Sequence, residues 1–246
     1  MGASLSLIRC AAMSAASSSL LVSAAAIAIV HTALGPDHWL PFSMLARARG
    51  WSRTTLLAVT FWGGIGHVAS SLALAVAGLS LGRGASGFAG IEALRGRAGP
   101  IALAAFGVAY GLWGVRRALA RREGLVPHAH DGEVHVHRGG NRHHEHAGRP
   151  ALGATTFWTL FAVFVLGPCE PLIPIFVLPA SRGMWAVAGW TALVFAAVTV
   201  AAMMALVALA SSGVERLPWG SLGRWSHALA GGVIAACGLG VLALGL

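Results

Sequence analysis

The sequence has few charged residues. Only 10% of its 246 residues are Asp, Glu, Lys or Arg, whereas 57% are hydrophobic. A soluble domain carries about 25% charged residues, so this composition argues against a soluble enzyme. Lysine is absent, and all 17 basic residues are arginine. The three cysteines, Cys10, Cys169 and Cys237, are too few and too scattered for the disulfide framework of a small secreted protein.

Long apolar segments fill most of the chain, and the mean hydropathy is +0.74. A membrane-spanning helix needs about 20 mostly apolar residues and satisfies its own backbone polar groups. Such segments occupy residues 14–46, 54–81, 98–120, 151–180, 185–211 and 222–246. The sequence therefore predicts an all-α multi-pass membrane protein with about six transmembrane helices.

The formal net charge of +9 comes from arginines at the ends of the apolar segments rather than from one basic stripe. We therefore expect no nucleic-acid partner. Five arginines fall on one side of the predicted spans and twelve on the other. For a multi-pass helical protein of this type we expect the cell (inner) membrane. The positive-inside rule then predicts that both termini lie outside and residues 121–150 lie in the cytoplasm.

Two parts of the chain are similar to each other. The sequence GPDH that begins at Gly35 aligns with GPCE that begins at Gly167, and each leads to an Arg-Gly pair that ends at Gly50 or Gly183. Proline removes a backbone donor and clashes with the preceding turn, so we expect the first and fourth helices to break at Gly-Pro.

A unit of three spans that occurs twice must enter the membrane from opposite sides. We therefore predict a 3+3 inverted repeat. The units are residues 1–120 and 151–246, and a histidine-rich loop, residues 121–150, joins them.

Ionisable side chains collect around the two Gly-Pro breaks. Of eight acidic residues, only Asp37 and Glu170 lie inside predicted spans. An unpaired carboxylate in hydrocarbon costs at least ~2.5 kcal/mol, so its presence there indicates a function. Imidazole, carboxylate and thiolate groups bind divalent transition metals. The sequence thus predicts an intramembrane metal site formed by His31, Asp37, His38, His67, Cys169 and Glu170.

The linker between the two units is rich in histidine and poor in apolar residues. Tracts of this kind bind metal weakly and do not form a packed core. We predict an accessory metal-binding segment, with a solvated linker as the alternative. Its histidines are His128, His130, His135, His137, His143, His144 and His146.

These features together resemble the nickel/cobalt transporter families of the lysine-exporter superfamily, including the UreH-like nickel transport proteins. The resemblance rests on the segment from His31 to His38, the segment from Trp62 to His67, the three-plus-three layout and the histidine-rich loop. It implies transport of Ni²⁺ or Co²⁺, with Asp37, His38 and His67 as ligands. A cysteine thiolate would soften the site, so Zn²⁺ is an alternative cargo.

Other functions stay open at this point. The segment around Cys169 is similar to the Pro-Cys segments of cytochrome-c-biogenesis thiol transporters, which predicts thiol/disulfide electron transfer as one alternative. Export of small organic solutes is another. The expected partners are the lipid bilayer and a transition-metal ion, with metalloenzyme-maturation proteins and a second copy of the chain as further candidates. In each case we expect a membrane protein that is not an enzyme.

Overall fold

The computed structural model describes residues 2–80, 85–122, 125–130, 133–138, 154–167, 169–215 and 220–244. Eight α-helices lie in these ranges: α1 (Gly2–Leu34), α2 (Leu40–Arg49), α3 (Arg53–Ser80), α4 (Ala85–Arg122), α5 (Ala154–Leu166), α6 (Leu172–Ser181), α7 (Trp185–Glu215) and α8 (Ser226–Leu244). Short 3-10 helices occupy Pro36–His38 and Gly220–Trp225. Two strands, β1 (Leu125–His130) and β2 (Glu133–Arg138), form an antiparallel hairpin.

Five helices within the described ranges are long and apolar enough to cross a bilayer: Ser17–Leu34, Arg53–Ser80, Ala93–Ala120, Trp185–Val214 and Leu222–Leu244. The predicted multi-pass helical membrane protein is confirmed at this level. The fourth predicted span instead contains two shorter helices, α5 with 13 residues and α6 with 10. The sixth span therefore stays a prediction.

Large apolar side chains point outward along these helices. Val22 is 70% exposed, Leu209 71% and Trp190 61%. In water each of these side chains would lose about 1.5–3 kcal/mol relative to burial. A lipid environment removes that loss, because acyl chains are as apolar as the side chains.

The structure differs from the sequence prediction in the segment before the third span. Residues 85–97 were expected in a loop, but α4 begins at Ala85 and the apolar part of this helix begins at Ala93. Arg95 and Arg97 therefore belong to the helix. The prediction began the third span at residue 98, where the apolar run follows these arginines. It could not account for the hydrogen bonds that Arg95 donates to residues of other helices.

The histidine-rich linker, predicted as a loop, contains two short strands. Its β1–β2 hairpin pairs the Cα of His128 with that of His135 and the Cα of Val126 with that of His137. Valine and histidine alternate along this segment with a period of two residues, which favours a strand over a helix.

Helices from the two ends of the chain pack against each other. α1 packs on α7, α2 on α7 and α8, and α3 on α5, α6 and α7. The most extensive contact joins α4 to α8. These contacts bring the end of α1, the middle of α3 and the end of α5 to one place in the interior.

Glycines let α4 and α8 approach backbone to backbone. A Cβ atom at Gly107 or Gly114 would collide with the backbone of α8, and one at Gly231 would collide with the backbone of Gly111. Lipid supplies no hydrophobic force between helices, so close packing of small residues is a main source of their association. This contact therefore holds together α4 and α8, which contain the third and the last of the five membrane-length helices.

The packing predicts opposite outcomes for two adjacent glycines of α8. Gly231→Ala should lower the free energy of unfolding by about 1–3 kcal/mol, because its Cβ meets backbone that cannot rotate away. The control Gly232→Ala has open space within 4 Å and should leave stability unchanged or slightly raise it. Thermal unfolding in detergent measures both. Equal losses of stability would contradict the close contact of α4 and α8.

Candidate metal site

Three histidines from three elements meet inside the protein. His31 lies in the last turn of α1, His38 ends the first 3-10 helix, and His67 lies in the middle of α3. Each offers one ring nitrogen, and these nitrogens lie within 4.8 Å of one another. The ring centroid of His38 is 4.7 Å from that of His31 and 5.0 Å from that of His67. Three imidazoles at such separations can hold one transition-metal ion.

Hydrogen bonds fix the orientation of two of the rings. His67 Nδ1 lies 3.2 Å from the carbonyl oxygen of Phe164 in α5. His38 Nδ1 lies 3.3 Å from the carbonyl oxygen of Gly35 and 3.1 Å from Asp37 Oδ1. A carbonyl oxygen only accepts, so Nδ1 carries the hydrogen of each neutral ring and Nε2 keeps its lone pair.

The Nε2 atoms of His38 and His67 are the strongest sign of a binding site. Both atoms are buried and have no hydrogen-bond partner among the described residues. The two residues are only 4% and 3% exposed. A buried polar atom without a partner costs about 1–3 kcal/mol. Two such atoms beside a third imidazole indicate a site for an electron-pair acceptor, such as a metal ion.

A proline makes the carbonyl oxygen of Phe164 available to His67. In a continuous helix this oxygen would accept from the amide four residues later, but that residue is Pro168, which has no N–H. α5 ends at Leu166, and His67 supplies a donor in place of the missing amide. This contact was not predicted from the sequence. The available signal was a carbonyl four residues before an intramembrane proline.

Gly35 makes the tight turn at His38 sterically feasible. Its N–H donates to the carbonyl oxygen of His31 at 3.0 Å, in the last turn of α1. A Cβ atom at Gly35 would lie 2.5 Å from His38 Nδ1 and 2.9 Å from Asp37 Oδ1. A larger residue would displace the carboxylate, the imidazole, or both.

The histidines line a cavity of about 220 Å³. Asp37 and Glu170, the two acids that the sequence places inside predicted spans, line the same cavity. Neither belongs to the group of three close ligand atoms. The carboxylate of Asp37 is instead hydrogen-bonded to His38 Nδ1 and orients that ring. Carboxylate and imidazole groups therefore share one space, where a cation can meet both.

Cys169, the remaining predicted ligand, lies beside His31. Its sulfur is 4.0 Å from His31 Nε2, and its backbone N–H donates to Ser71 Oγ at 2.9 Å. Cys169 packs among buried side chains of α1, α3, α6 and α7, whereas Cys237 packs in a separate cluster. Neither cysteine is in a disulfide. The structure thus places Cys169 next to one histidine of the group but outside the group itself.

The linker histidines have no described side-chain geometry. His128, His130, His135 and His137 lie in the hairpin strands. His143, His144 and His146 lie outside the described residues. Their part as accessory metal ligands stays a prediction.

Comparison with known proteins adds no family. The chain matches no protein-family model, and no curated protein and no solved structure is significantly similar to it. The fold and the site therefore define a class: a multi-pass helical membrane protein with a buried histidine group that can hold a metal ion.

The steric role of Gly35 predicts the effect of a single methyl group on metal binding. Gly35→Ala should weaken Co²⁺ binding by about 10–100-fold, because the Cβ displaces the groups that orient His38. Gly189→Ala, on the exposed face of α7 with open space around it, should bind as the wild type does. Isothermal titration of the detergent-purified protein measures both. Unchanged Co²⁺ affinity in Gly35→Ala would show that the turn does not shape the site.

Proposed function

We propose that this protein is a membrane transporter of a divalent transition-metal ion. Following the resemblance, the proposed cargo is Ni²⁺ or Co²⁺, with Zn²⁺ as the next candidate. The observation that carries the proposal is the pair of buried, unpartnered Nε2 atoms of His38 and His67 beside His31. The proposed site also includes Asp37, Cys169 and Glu170.

The chemistry of the site favours this class of cargo. Imidazole nitrogen suits Ni²⁺, Co²⁺ and Zn²⁺, whereas Mg²⁺ and Ca²⁺ prefer oxygen ligands. Structural zinc sites use four protein ligands and are closed, whereas three protein ligands leave coordination positions open. An ion held by three imidazoles can therefore exchange its remaining ligands with the carboxylates of the cavity, which suits passage better than storage.

The contacts between helices support the proposed inverted repeat. The six proposed spans are α1 with α2, then α3, α4, α5 with α6, α7 and α8. In such a repeat the first span corresponds to the fourth, the second to the fifth and the third to the sixth. The first span packs on the fifth and the second packs on the fourth, so each of these two contacts is the counterpart of the other. The third span also packs on the sixth and the second on the fifth, and each of these contacts joins two corresponding spans. Such a pattern is expected of two structurally equivalent units.

The two turns after the proposed breaks also support equivalence. α2 and α6 both have 10 residues. Gly50 follows α2 with a φ of 65°, and Gly183 lies two residues after α6 with a φ of 76°. No other glycine in the described ranges has a positive φ. In this proposal the first and fourth spans are helices broken at Gly35-Pro36 and Gly167-Pro168.

The proposed mechanism uses the contact between the halves at the site. His31, His38 and His67 belong to the first half, but the carbonyl that orients His67 belongs to Phe164 in the second. Movement of one half against the other would change the His67–Phe164 hydrogen bond and, with it, the direction in which His67 Nε2 points. The ion would bind in one arrangement and leave in the other. Glu170, in the cavity wall, is our candidate for carrying a coupled proton.

The proposed membrane is the cell (inner) membrane, with the termini outside and the histidine-rich loop in the cytoplasm. In that orientation the loop would collect or buffer ions on the cytoplasmic side.

Uptake of radioactive Ni²⁺ and Co²⁺ into proteoliposomes tests the proposal, with Zn²⁺ as the competitor. We expect His38→Ala and His67→Ala to lower the initial rate on the order of tenfold or more, because each removes one of three ligands. His227→Ala is the matched control, since His227 Nδ1 is hydrogen-bonded to Tyr110 OH at 2.8 Å and His227 does not line the cavity. A deletion of residues 124–149 should slow uptake without abolishing it.

Several outcomes would reject the proposal. Absence of metal flux in the wild type would do so, as would equal flux in the two site variants and the control. Flux of amino acids that metals do not inhibit would favour the exporter of organic solutes. Loss of thiol reduction in a Cys169→Ser strain, together with absence of metal flux in the wild type, would favour electron transfer.

A further inference from the structure

The end of α5 leaves several backbone groups without helical partners, and Arg95 of α4 satisfies two of them. Its Nη2 donates to the carbonyl oxygen of Val165 at 3.0 Å and to that of Gly167 at 3.2 Å. In a continuous helix Val165 would accept from the amide of Cys169, but that amide donates to Ser71 Oγ. Arg95 therefore holds the end of α5 next to the carbonyl that binds His67.

Arg95 also holds the helix that carries His67. The same Nη2 donates to Ser70 Oγ at 2.9 Å, and Ser70 in turn donates to the carbonyl oxygen of His67 at 2.9 Å. One guanidinium thus contacts both sides of the His67–Phe164 hydrogen bond. On the α3 side it contacts Ser70, one turn after His67, and on the α5 side it contacts Val165, one residue after Phe164.

Two glycines bring α4 close enough for these contacts. A Cβ atom at Gly99, one turn after Arg95, would lie 2.8 Å from the Cα of Gly167. A Cβ atom at Gly96 would lie 3.2 Å from Glu170 Oε1. Both glycines line the cavity. The start of α4 is therefore packed directly against the end of α5 and forms one wall of the site.

We propose that Arg95 is a positioning residue of the metal site, which sets metal affinity by fixing the direction of His67 Nε2. This inference rests on the proposed metal site but is separate from transport itself. Groups that orient a metal-bound imidazole typically change metal affinity by about 10–100-fold when they are removed. Arg95 acts one step further out, because it holds the helix ends between which the imidazole is bonded.

The positioning role also links affinity to conformation. The three bonds from Arg95 reach elements of both halves of the chain. A displacement of the end of α5 from α3 would break these bonds together with the His67–Phe164 bond. The imidazole of His67 would then lose its orientation in one concerted step. The affinity for the metal ion would fall in the conformation from which the ion leaves.

A double-mutant cycle tests this inference on the full-length protein, with Co²⁺ as the probe in isothermal titrations. Arg95→Gln should weaken Co²⁺ binding by about 10–100-fold, and Arg95→Lys should restore part of the loss, since lysine still donates but without the planar fork. In a His67→Ala background, Arg95→Gln should have no further effect. Arg97→Gln, two residues along the same helix and exposed, is the control that should bind as the wild type does.

X-ray absorption of bound Co²⁺ supplies a second readout. We expect three imidazole ligands in the wild type and two in Arg95→Gln, a change that general destabilisation would not produce. An equal loss of affinity in both backgrounds, or three imidazoles in Arg95→Gln, would overturn the positioning role while the metal site stands. Failure of the wild type to bind Co²⁺ or Ni²⁺ would instead reject the site itself, and the inference with it.

Discussion

A helix that ends away from water leaves its last carbonyl oxygens without helical donors, and no water can replace those donors there. An unsatisfied backbone group there costs several kcal/mol, so the protein must supply a side chain. At Phe164 the donor is the imidazole of His67, and at Val165 it is the guanidinium of Arg95. The need to satisfy the end of α5 thus selects which polar side chains enter the interior and where they lie.

The turn after α1 follows the same constraint in a different form. His38 donates from Nδ1 to the carbonyl of Gly35 within its own turn, and Asp37 accepts from the same nitrogen. In both places a carbonyl oxygen at a helix end lies near the Nδ1 side of an imidazole, and the Nε2 side is without a partner among the described residues. The same ring therefore satisfies the backbone with one nitrogen and offers the other nitrogen as a ligand.

Much of this arrangement could be predicted from the sequence, because residue type carries the information. Histidines inside apolar segments stand out, and His31, His38 and His67 do meet within 4.8 Å. Asp37 and Glu170 line the adjoining cavity, as their rarity within the spans suggested. The separation of Cys169 from the close group was not predictable, because Cys169 lies between α5 and α6 and its backbone N–H donates to Ser71 Oγ in the distant α3. The 3+3 repeat and the sixth span stay predictions.

The missed features have a common cause. The acceptor at Phe164 is a backbone atom, which the sequence marks only through Pro168 four residues later and without naming its donor. Arg95 was assigned to a loop because the predicted span began with the apolar run that follows the arginines. Its partners come from α3 and α5, far along the chain, so only the packed structure reveals that its charge is accommodated inside.

The glycine contact between α4 and α8 has a consequence in terms of conformational entropy. Side chains that interlock at an interface lose rotamer freedom, up to about 1.5–2 kcal/mol each for the long ones. Gly107, Gly114 and Gly231 have no rotamers to lose, so their backbones meet without that cost. At these three positions the association depends on dispersion between atoms whose freedom was already lost when each helix formed, whereas Leu103, Tyr110 and Ile234 pack as larger side chains in the same region. Where backbone meets backbone, no rotamer has to be fixed for the two helices to stay in contact.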